Sequence, residues 1–259
     1  MMVNALTGFV TGNGFDFSAT ISASTNNYNV KTAAISAGWD QVAPLSAVIT
    51  INPGVVIGST SVSTAALDSG TSIPAGSTLS IINNGTIKGK GGDGTACRWV
   101  SASSGYWAAN GGGEAGGNAI RTTIPTTIVN AGVIAGGGGG GGFVGGYAPG
   151  GSDYGGAAGG GGAGSVVGAA ASLTHEVYGS LAASSAGTST TGGSGSSYAG
   201  INGPSGGALG AAGQDGMYYT FGGGYAVIAG GAAGLCVSGV AYVNGGAGIT
   251  DGTTYGGQT

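Results

Sequence analysis

Two glycine-rich motifs in this chain have the spacing of nucleotide-binding loops. Gly89-x-Gly91-x-x-Gly94 matches a dinucleotide-binding fingerprint, in which the N-terminus of a following helix holds the phosphates. The next residues, TACRWVSASSG, contain no pattern that opens a helix. The segment GTIKGK at 85–90 is one residue short of a P-loop and lacks the Ser or Thr that follows the P-loop lysine. We therefore expect neither motif to bind a nucleotide.

A third motif, Gly203-Pro-Ser205-Gly-Gly207, matches the nucleophile-elbow pattern, and His175 is the one histidine of the chain. A nucleophile elbow follows a core strand and precedes a helix, and the surrounding INGPSGGALG has the pattern of neither. The nine carboxylates are scattered along the sequence and indicate no acid–base pair. We predict no catalytic residue, no cofactor and no enzymatic activity.

The sequence also gives little support for a metal site. GGAGITDG at 245–252 is one residue off a calcium-binding nonapeptide, and it is a single imperfect copy. Cys97 and Cys236 are far apart and belong to no C-x-x-C pair, so they do not indicate zinc. We predict no metal, and the cysteines are either two buried thiols or a disulfide.

Composition excludes several classes of protein. Charged residues make up 5% of the chain, against about 25% in an average soluble protein, and the formal net charge is −4. Five Lys and Arg in all argue against nucleic acid as a partner. Residues 1–14 lack the basic segment and the continuous apolar segment that a signal peptide has, so we expect none. The uncharged segment 225–243 is interrupted by four glycines and has no flanking Lys or Arg, so we expect no membrane insertion.

The elements that would position any site are dominated by glycine, with 64 in the chain and seven in a row at 136–142. In a helix each glycine costs about 1 kcal/mol relative to alanine, so this run is not helical. It is either a flexible linker or a left-handed polyglycine helix of the polyproline II type. Because glycine tracts recur from residue 89 to residue 257, we predict a bundle of polyglycine II helices joined by aromatic-bearing loops.

The first 88 residues are poorer in glycine and predict a small β-rich domain with one short helix. Asn29 is a candidate N-cap for a helix over 30–37 that Gly38 ends. Strands are predicted at 47–51, 54–63 and 77–82. The fold class is therefore mainly β or irregular, with domains at 1–88 and 89–259.

An internal repeat, N-x-G-x-[IV]-x-G, begins at Asn52, Asn83 and Asn130. Each copy predicts a turn followed by a short strand, and the second and third copies lead into glycine tracts. The unequal spacing of the copies argues against a regular solenoid.

These residues also carry a family resemblance. IINNGTIKGKGGDG at 81–94, TIVNAGVIAGGGGGGG at 127–142 and the aromatic loops between later tracts resemble the glycine-rich receptor-binding proteins of tailed bacteriophages, notably the distal tail-fibre adhesins of T-even-like phages. The segment 26–51 looks like the one that precedes such tracts in phage tail proteins. The resemblance implies a virion tail protein made in the host cytoplasm. Residues 1–88 would attach to a tail-fibre or tail-tip protein, and the far loops would bind a bacterial outer-surface receptor, protein or glycan.

The loops supply candidates for that contact, because stiff aromatics among Ser, Gly and Asn are typical of binding surfaces. The alternative is that these aromatics cap the ends of the bundle. A self-assembling appendage protein and an ice-binding bundle are alternative functions, and a homo-oligomer is compatible with each. We predict receptor contact by Trp99, Tyr106, Trp107, Tyr218, Tyr219 and Phe221.

Overall fold

The computed structural model describes residues 5–11, 14–100, 106–109, 111–146, 156–175, 179–198, 201–219, 225–239 and 253–255. Within these ranges the protein is mainly β with one short helix, α1 (Val30–Ser36), which confirms the predicted class. The strands in chain order are β1 Ala5–Thr11, β2 Gly14–Ile21, β3 Thr25–Asn26, β4 Tyr28–Asn29, β5 Leu45–Ile51, β6 Val56–Gly58, β7 Leu67–Asp68, β8 Thr78–Asn83, β9 Thr86–Lys88, β10 Cys97–Val100, β11 Tyr106–Ala108, β12 Ile120–Arg121, β13 Thr126–Asn130, β14 Val133–Ala135, β15 Gly145–Gly146, β16 Ser172–His175, β17 Gly179–Ala183, β18 Ser197–Tyr198, β19 Ile201–Asn202, β20 Gly216–Tyr219, β21 Tyr225–Ile228, β22 Val237–Ser238 and β23 Thr253–Tyr255.

Helix α1 begins and ends as its capping residues predict, to within one residue. The Asn29 side chain accepts a hydrogen bond of 2.9 Å from the Thr32 N–H, which satisfies one of the free donors of the first turn. Gly38 follows the helix with φ +103°, a left-handed conformation that favours glycine. Trp39 is then buried, and its indole N–H donates to the Ala43 carbonyl at 2.8 Å.

Three sheets form a three-sided parallel β-helix, which the chain winds through sheet by sheet. The first sheet has the order β1-β2-β5-β8-β13, the second β23-β14-β9-β6-β3 and the third β22-β12-β7-β4. Every pairing in these sheets is parallel except that of β1 with β2. The inference that unequal spacing argues against a regular solenoid is therefore wrong for these strands. The spacing of the repeat copies varies because residues 89–119 are inserted at one corner, between the second and third sheets. Residues 136–236 are inserted at the same corner after the last copy.

The core of the β-helix consists of apolar residues stacked in register from coil to coil. Ile49 pairs with Ile81, which pairs with Ile128, and all three are at most 2% exposed. Burying such a side chain contributes roughly 1.5–3 kcal/mol each. The same core includes Ile120, Ile134 and Val237, which follow residue 88 in the sequence. The β-helix thus draws on sequence from both sides of the predicted boundary at 88/89, and the division of labour between the two parts stays a prediction.

The asparagine repeat marks one corner of the β-helix. Asn83 lies opposite Asn130, and its side-chain amide donates to the Asn130 carboxamide oxygen at 2.7 Å, with both residues buried. The first copy is displaced by one residue, because Ile51 and not Asn52 lies opposite Asn83. Gly54, with φ +77°, lies in the turn 52–55, which is two residues longer than the turn 84–85 of the second copy.

One predicted strand is shorter than expected. The pattern at 54–63 predicted a single strand, whereas β6 covers only Val56–Gly58. The chain then turns, and the oxygen of the buried Ser59 hydroxyl lies 2.6 Å from the carbonyl oxygens of both Ser61 and Thr64, to which its single proton can be donated. Strand β7 follows in the third sheet. Its two residues are too few to show the alternation of apolar and polar residues that predicts a strand.

The apolar segment 225–243 contains β21 and β22, not a helix, in its described part. Among the described residues, no helix is both long enough and apolar enough to cross a membrane.

Candidate functional site

The central glycine tract, 136–142, is buried and hydrogen-bonded to neighbouring segments on all sides. Its N–H groups from 137 to 142 donate at 2.8–3.0 Å, and residues three apart donate to the same neighbour. The donor and acceptor pairs are Gly137 with Gly117, Gly140 with Glu114, Gly138 with Ala163, Gly141 with Gly160, Gly139 with Ala211, and Gly142 with Gln214. Three different segments therefore receive the N–H groups of one tract.

The carbonyl groups of the same tract accept bonds from three further segments, at 2.7–3.1 Å. Again residues three apart share a neighbour. The donors are Gly92 to Gly138, Thr95 to Gly141, Gly207 to Gly139, Gly210 to Gly136, Gly231 to Gly140, and Gly234 to Gly137. Six segments thus surround the tract, and its backbone groups are the contacts that hold them together.

Such close packing requires glycine. A Cβ built on Gly139 would lie 1.9 Å from the Gly231 carbonyl oxygen and 2.4 Å from its carbon, distances that no relaxed structure accommodates. The Gly89–Gly94 motif has the same role, because the N–H groups of Gly91, Gly92 and Gly94 donate to neighbouring segments. Its glycines serve packing and not a phosphate.

A second, smaller core lies where the central tract ends. It contains Cys97, Trp107, Phe143 and Leu173, from β10, β11, the end of the tract and β16. Trp107 is 1% exposed, and the Trp99 ring packs edge-on against it with centroids 5.4 Å apart. Aromatic pairs of this geometry contribute about 0.5–1.5 kcal/mol beyond the area they bury. This aromatic core fixes the four-stranded sheet β11-β10-β16-β17 to the glycine tracts.

The structure separates the predicted contact residues into different environments. Trp107 is buried in the aromatic core, so its predicted role in direct receptor contact is corrected to a packing role. Trp99, Tyr106 and Tyr218 are half-buried, and the Tyr218 ring packs edge-on against Phe143 at 6.3 Å. Tyr219 lies in β20. Phe221 lies outside the described residues.

The most exposed apolar residues of this region lie on the antiparallel hairpin β20–β21. Met217, Tyr225 and Val227 are 47%, 66% and 59% exposed, and Met217 lies directly opposite Val227. Opposed residues of an antiparallel pair share one face of the sheet. We call these three residues the hairpin patch. The sequence shows an aromatic cluster here, but only the pairing register shows which of its members face outward.

The two cysteines do not form a disulfide. Cys97 and Cys236 are both buried, and burial raises the pKa of Cys97 to about 12 despite a hydrogen bond from the backbone at Ala157. Among the residues that the structure describes, no group of three His, Cys, Asp or Glu side chains could hold a metal ion.

The described part of the chain thus combines a β-helix, hydrogen-bonded glycine tracts and an exposed hairpin. The model of the family described as phage tail fibre adhesin Gp38 matches residues 16–259. The chain belongs to this family, and it is a bacteriophage tail fibre adhesin. Adhesion is a structural role, which agrees with the predicted non-enzymatic class, and it implies a place in the virion tail.

Comparison with individual proteins supports the fold. No curated protein sequence matches the chain. The chain is similar to a solved structure described as the crystal structure of the gp37-gp38 adhesin tip complex of the bacteriophage S16 long tail fiber. The two share 20% identity with a TM-score of 0.52, over 93% of this chain and 82% of that chain. At this identity the likeness concerns the fold alone.

Proposed function

We propose that this chain is the tip adhesin of a tail fibre, and that it binds a bacterial surface receptor, an outer-membrane protein or a glycan, through loops on a polyglycine scaffold. The observation that carries the proposal is the hairpin patch, an exposed apolar surface. It is next to the hydrogen-bonded glycine tracts from residue 89 onward, which we call the glycine body. A rigid support lowers the entropy lost when a loop binds its partner.

The scaffold is a bundle of polyglycine II helices from residue 89 onward. A polyglycine II helix has three residues per turn, so its N–H and C=O groups point in three directions that repeat every third residue. The hydrogen bonds of 136–142 follow this period on both the donor and the acceptor side. A flexible linker would make no such repeating contacts.

Receptor contact is assigned to the hairpin patch, together with Tyr219 and Phe221 of the same hairpin segment. Large apolar and aromatic side chains carry most of the free energy at many protein interfaces, and they act when they are desolvated on binding. Trp99, Tyr106 and Tyr218 are half-buried, and Trp99 and Tyr218 pack against the aromatic core together with Ile228 of the hairpin.

Attachment to a tail-fibre or tail-tip protein is assigned to residues 1–88, which supply the first coils of the β-helix and α1. The structurally similar protein described above is part of an adhesin tip complex. Hydrogen exchange of the full chain, alone and bound to the fibre protein of its own phage, tests the assignment. On binding of the fibre protein, we expect backbone amides within 14–88 to exchange more slowly and those of β21 to exchange at an unchanged rate. Added protection confined to β21 would reverse the proposed polarity.

The function itself is tested by competition on host cells. Purified full-length protein, added to the strain on which its phage grows, should occupy receptors and reduce adsorption of later-added phage by tenfold or more. The same cells treated with a chain unfolded by heat should adsorb phage normally. Undiminished adsorption at saturating protein would show that this chain does not carry the receptor site.

A further inference from the structure

A cavity of about 320 Å³ lies between the outward face of the second sheet and two loops of the glycine body. Its volume is within the roughly 300–1,000 Å³ typical of small-molecule sites. None of the described residues that line it belongs to the hairpin patch, so it is a separate feature of the molecule. The lining residues are Thr86, Lys88, Val133, Thr190, Ala208 and Leu209.

The floor of the cavity is the sheet. On β9, Thr86 and Lys88 alternate with the fully buried Ile87, so their side chains lie on the outward face. Val133 of β14 lies opposite Thr86 and precedes the fully buried Ile134, which places it on the same face. The sheet therefore offers a hydroxyl, an ammonium group and an aliphatic side chain side by side.

The opposite wall consists of two loops whose backbones are held in place. The Thr188 N–H donates to the Thr191 carbonyl at 2.7 Å, and the Thr188 hydroxyl accepts the Thr191 N–H at 2.8 Å. The Leu209 N–H donates to the Thr190 carbonyl at 3.3 Å and so joins the second loop to the first. This wall contributes the apolar side chains of Ala208 and Leu209. Because both loops are already ordered, a ligand pays little entropy to organise them.

Lys88 is a cation without a carboxylate partner in the described part of the chain. Its ammonium group donates to the Ser189 carbonyl at 3.4 Å, which is long for a hydrogen bond from a charged group. The ion pairs among the described residues use Lys90 and Arg121 instead. Partial burial lowers the pKa of Lys88, because desolvation disfavours the charged form. An anion in the cavity would replace the stabilisation that the lost water no longer gives.

The lining determines the chemistry of such an anion. Lys88 is the one charged residue among the described residues that line the cavity, so it balances a single negative charge. A phosphate group carries more charge and is usually held by an arginine or a helix N-terminus, and this lining includes neither. The aliphatic side chains favour an apolar group beside the charge. We propose that this cavity binds a small aliphatic carboxylate, with its carboxylate on the Lys88 ammonium group and its chain against Val133, Ala208 and Leu209.

Isothermal titration calorimetry of the full-length protein with hexanoate, 1-hexanol and hexylamine tests the proposal. The three compounds share one chain length, and at neutral pH they are an anion, a neutral molecule and a cation. We expect saturable binding of hexanoate, binding of 1-hexanol that is weaker by at least about tenfold, and no detectable binding of hexylamine.

Lys88→Met removes the charge and keeps an unbranched side chain. It should lower the affinity for hexanoate to that for 1-hexanol and leave the affinity for 1-hexanol unchanged, a combination that loss of folding does not produce. Lys88→Arg keeps the charge and should keep the preference for hexanoate. The matched control is Lys31→Met on α1, because Lys31 bonds the carbonyls of Thr71 and Ser72 and does not line the cavity.

These measurements are independent of receptor binding through the hairpin patch, because they use free small molecules and no cells. A preference for hexanoate that Lys88→Met abolishes and Lys31→Met preserves supports the site. An absence of saturable hexanoate binding overturns it, and so does equal affinity for hexanoate and 1-hexanol. Displacement of hexanoate by an equal concentration of inorganic phosphate would show a general anion site and would also overturn it.

Discussion

Replacing Gly139 by valine is expected to prevent the glycine body from forming. The new Cβ would lie 1.9 Å from the Gly231 carbonyl oxygen, and both segments are held by further hydrogen bonds on either side. Overpacking usually costs about 1–3 kcal/mol, but here backbone must separate from backbone, so we expect a loss of at least about 4 kcal/mol. Chemical denaturation, or the soluble yield if the variant does not fold, measures the effect.

Ala211→Val is the matched control for this substitution. The carbonyl of Ala211 accepts the Gly139 N–H at 3.0 Å, so both residues belong to the same contact, but the Ala211 side chain is exposed. We expect Ala211→Val to change the free energy of unfolding by less than about 0.5 kcal/mol, as is usual for surface positions. Equal stability of the two variants would contradict the packed bundle and would favour a flexible linker.

The sequence predicted the glycine body better than it predicted the β-helix. Recurrent glycine tracts have few physical explanations, so their recurrence alone indicated mutual packing. The β-helix could not be inferred from the sequence, because residues 89–119 and 136–236 separate strands that pair with each other in the structure. Ile128 stacks on Ile81, yet a glycine-rich insertion with no apolar periodicity lies between them. A fragment of residues 1–88 would accordingly lack part of its own core.

The aromatic residues show a second limit of sequence reasoning. Trp107 and Tyr225 both lie in short segments rich in small residues, and nothing local distinguishes them. Trp107 is buried because Gly145 and Gly156 offer surfaces without side chains, where an added Cβ would lie 2.7 Å and 2.3 Å from the tryptophan. Which aromatic meets such glycines depends on tertiary packing. For Trp107, burial agrees with the alternative that the aromatics cap the ends of the bundle.

Tyr225→Ala is expected to reduce phage adsorption to host cells by tenfold or more without lowering the melting temperature. The Tyr225 side chain is 66% exposed on the edge strand of its sheet, so its removal leaves no cavity. Tenfold corresponds to about 1.4 kcal/mol, which is modest for an aromatic anchor, since truncation at a hot spot typically costs about 2 kcal/mol or more. Adsorption rates of phage that carry the variant chain, with the melting temperature of the purified chain, measure both effects.

Trp107→Ala supplies the contrast that makes this result interpretable. Truncating a fully buried tryptophan should cost about 3–5 kcal/mol of stability, so adsorption would fall only because the aromatic core is lost. If the hairpin patch contacts the receptor, Tyr225→Ala reduces phage adsorption without lowering the melting temperature. Met217→Ala and Val227→Ala then each reduce adsorption by a smaller factor. Should all three exposed variants adsorb normally while Trp107→Ala does not, the hairpin is not the contact. The receptor surface would then lie on other loops, with residues 165–191 the next to be substituted.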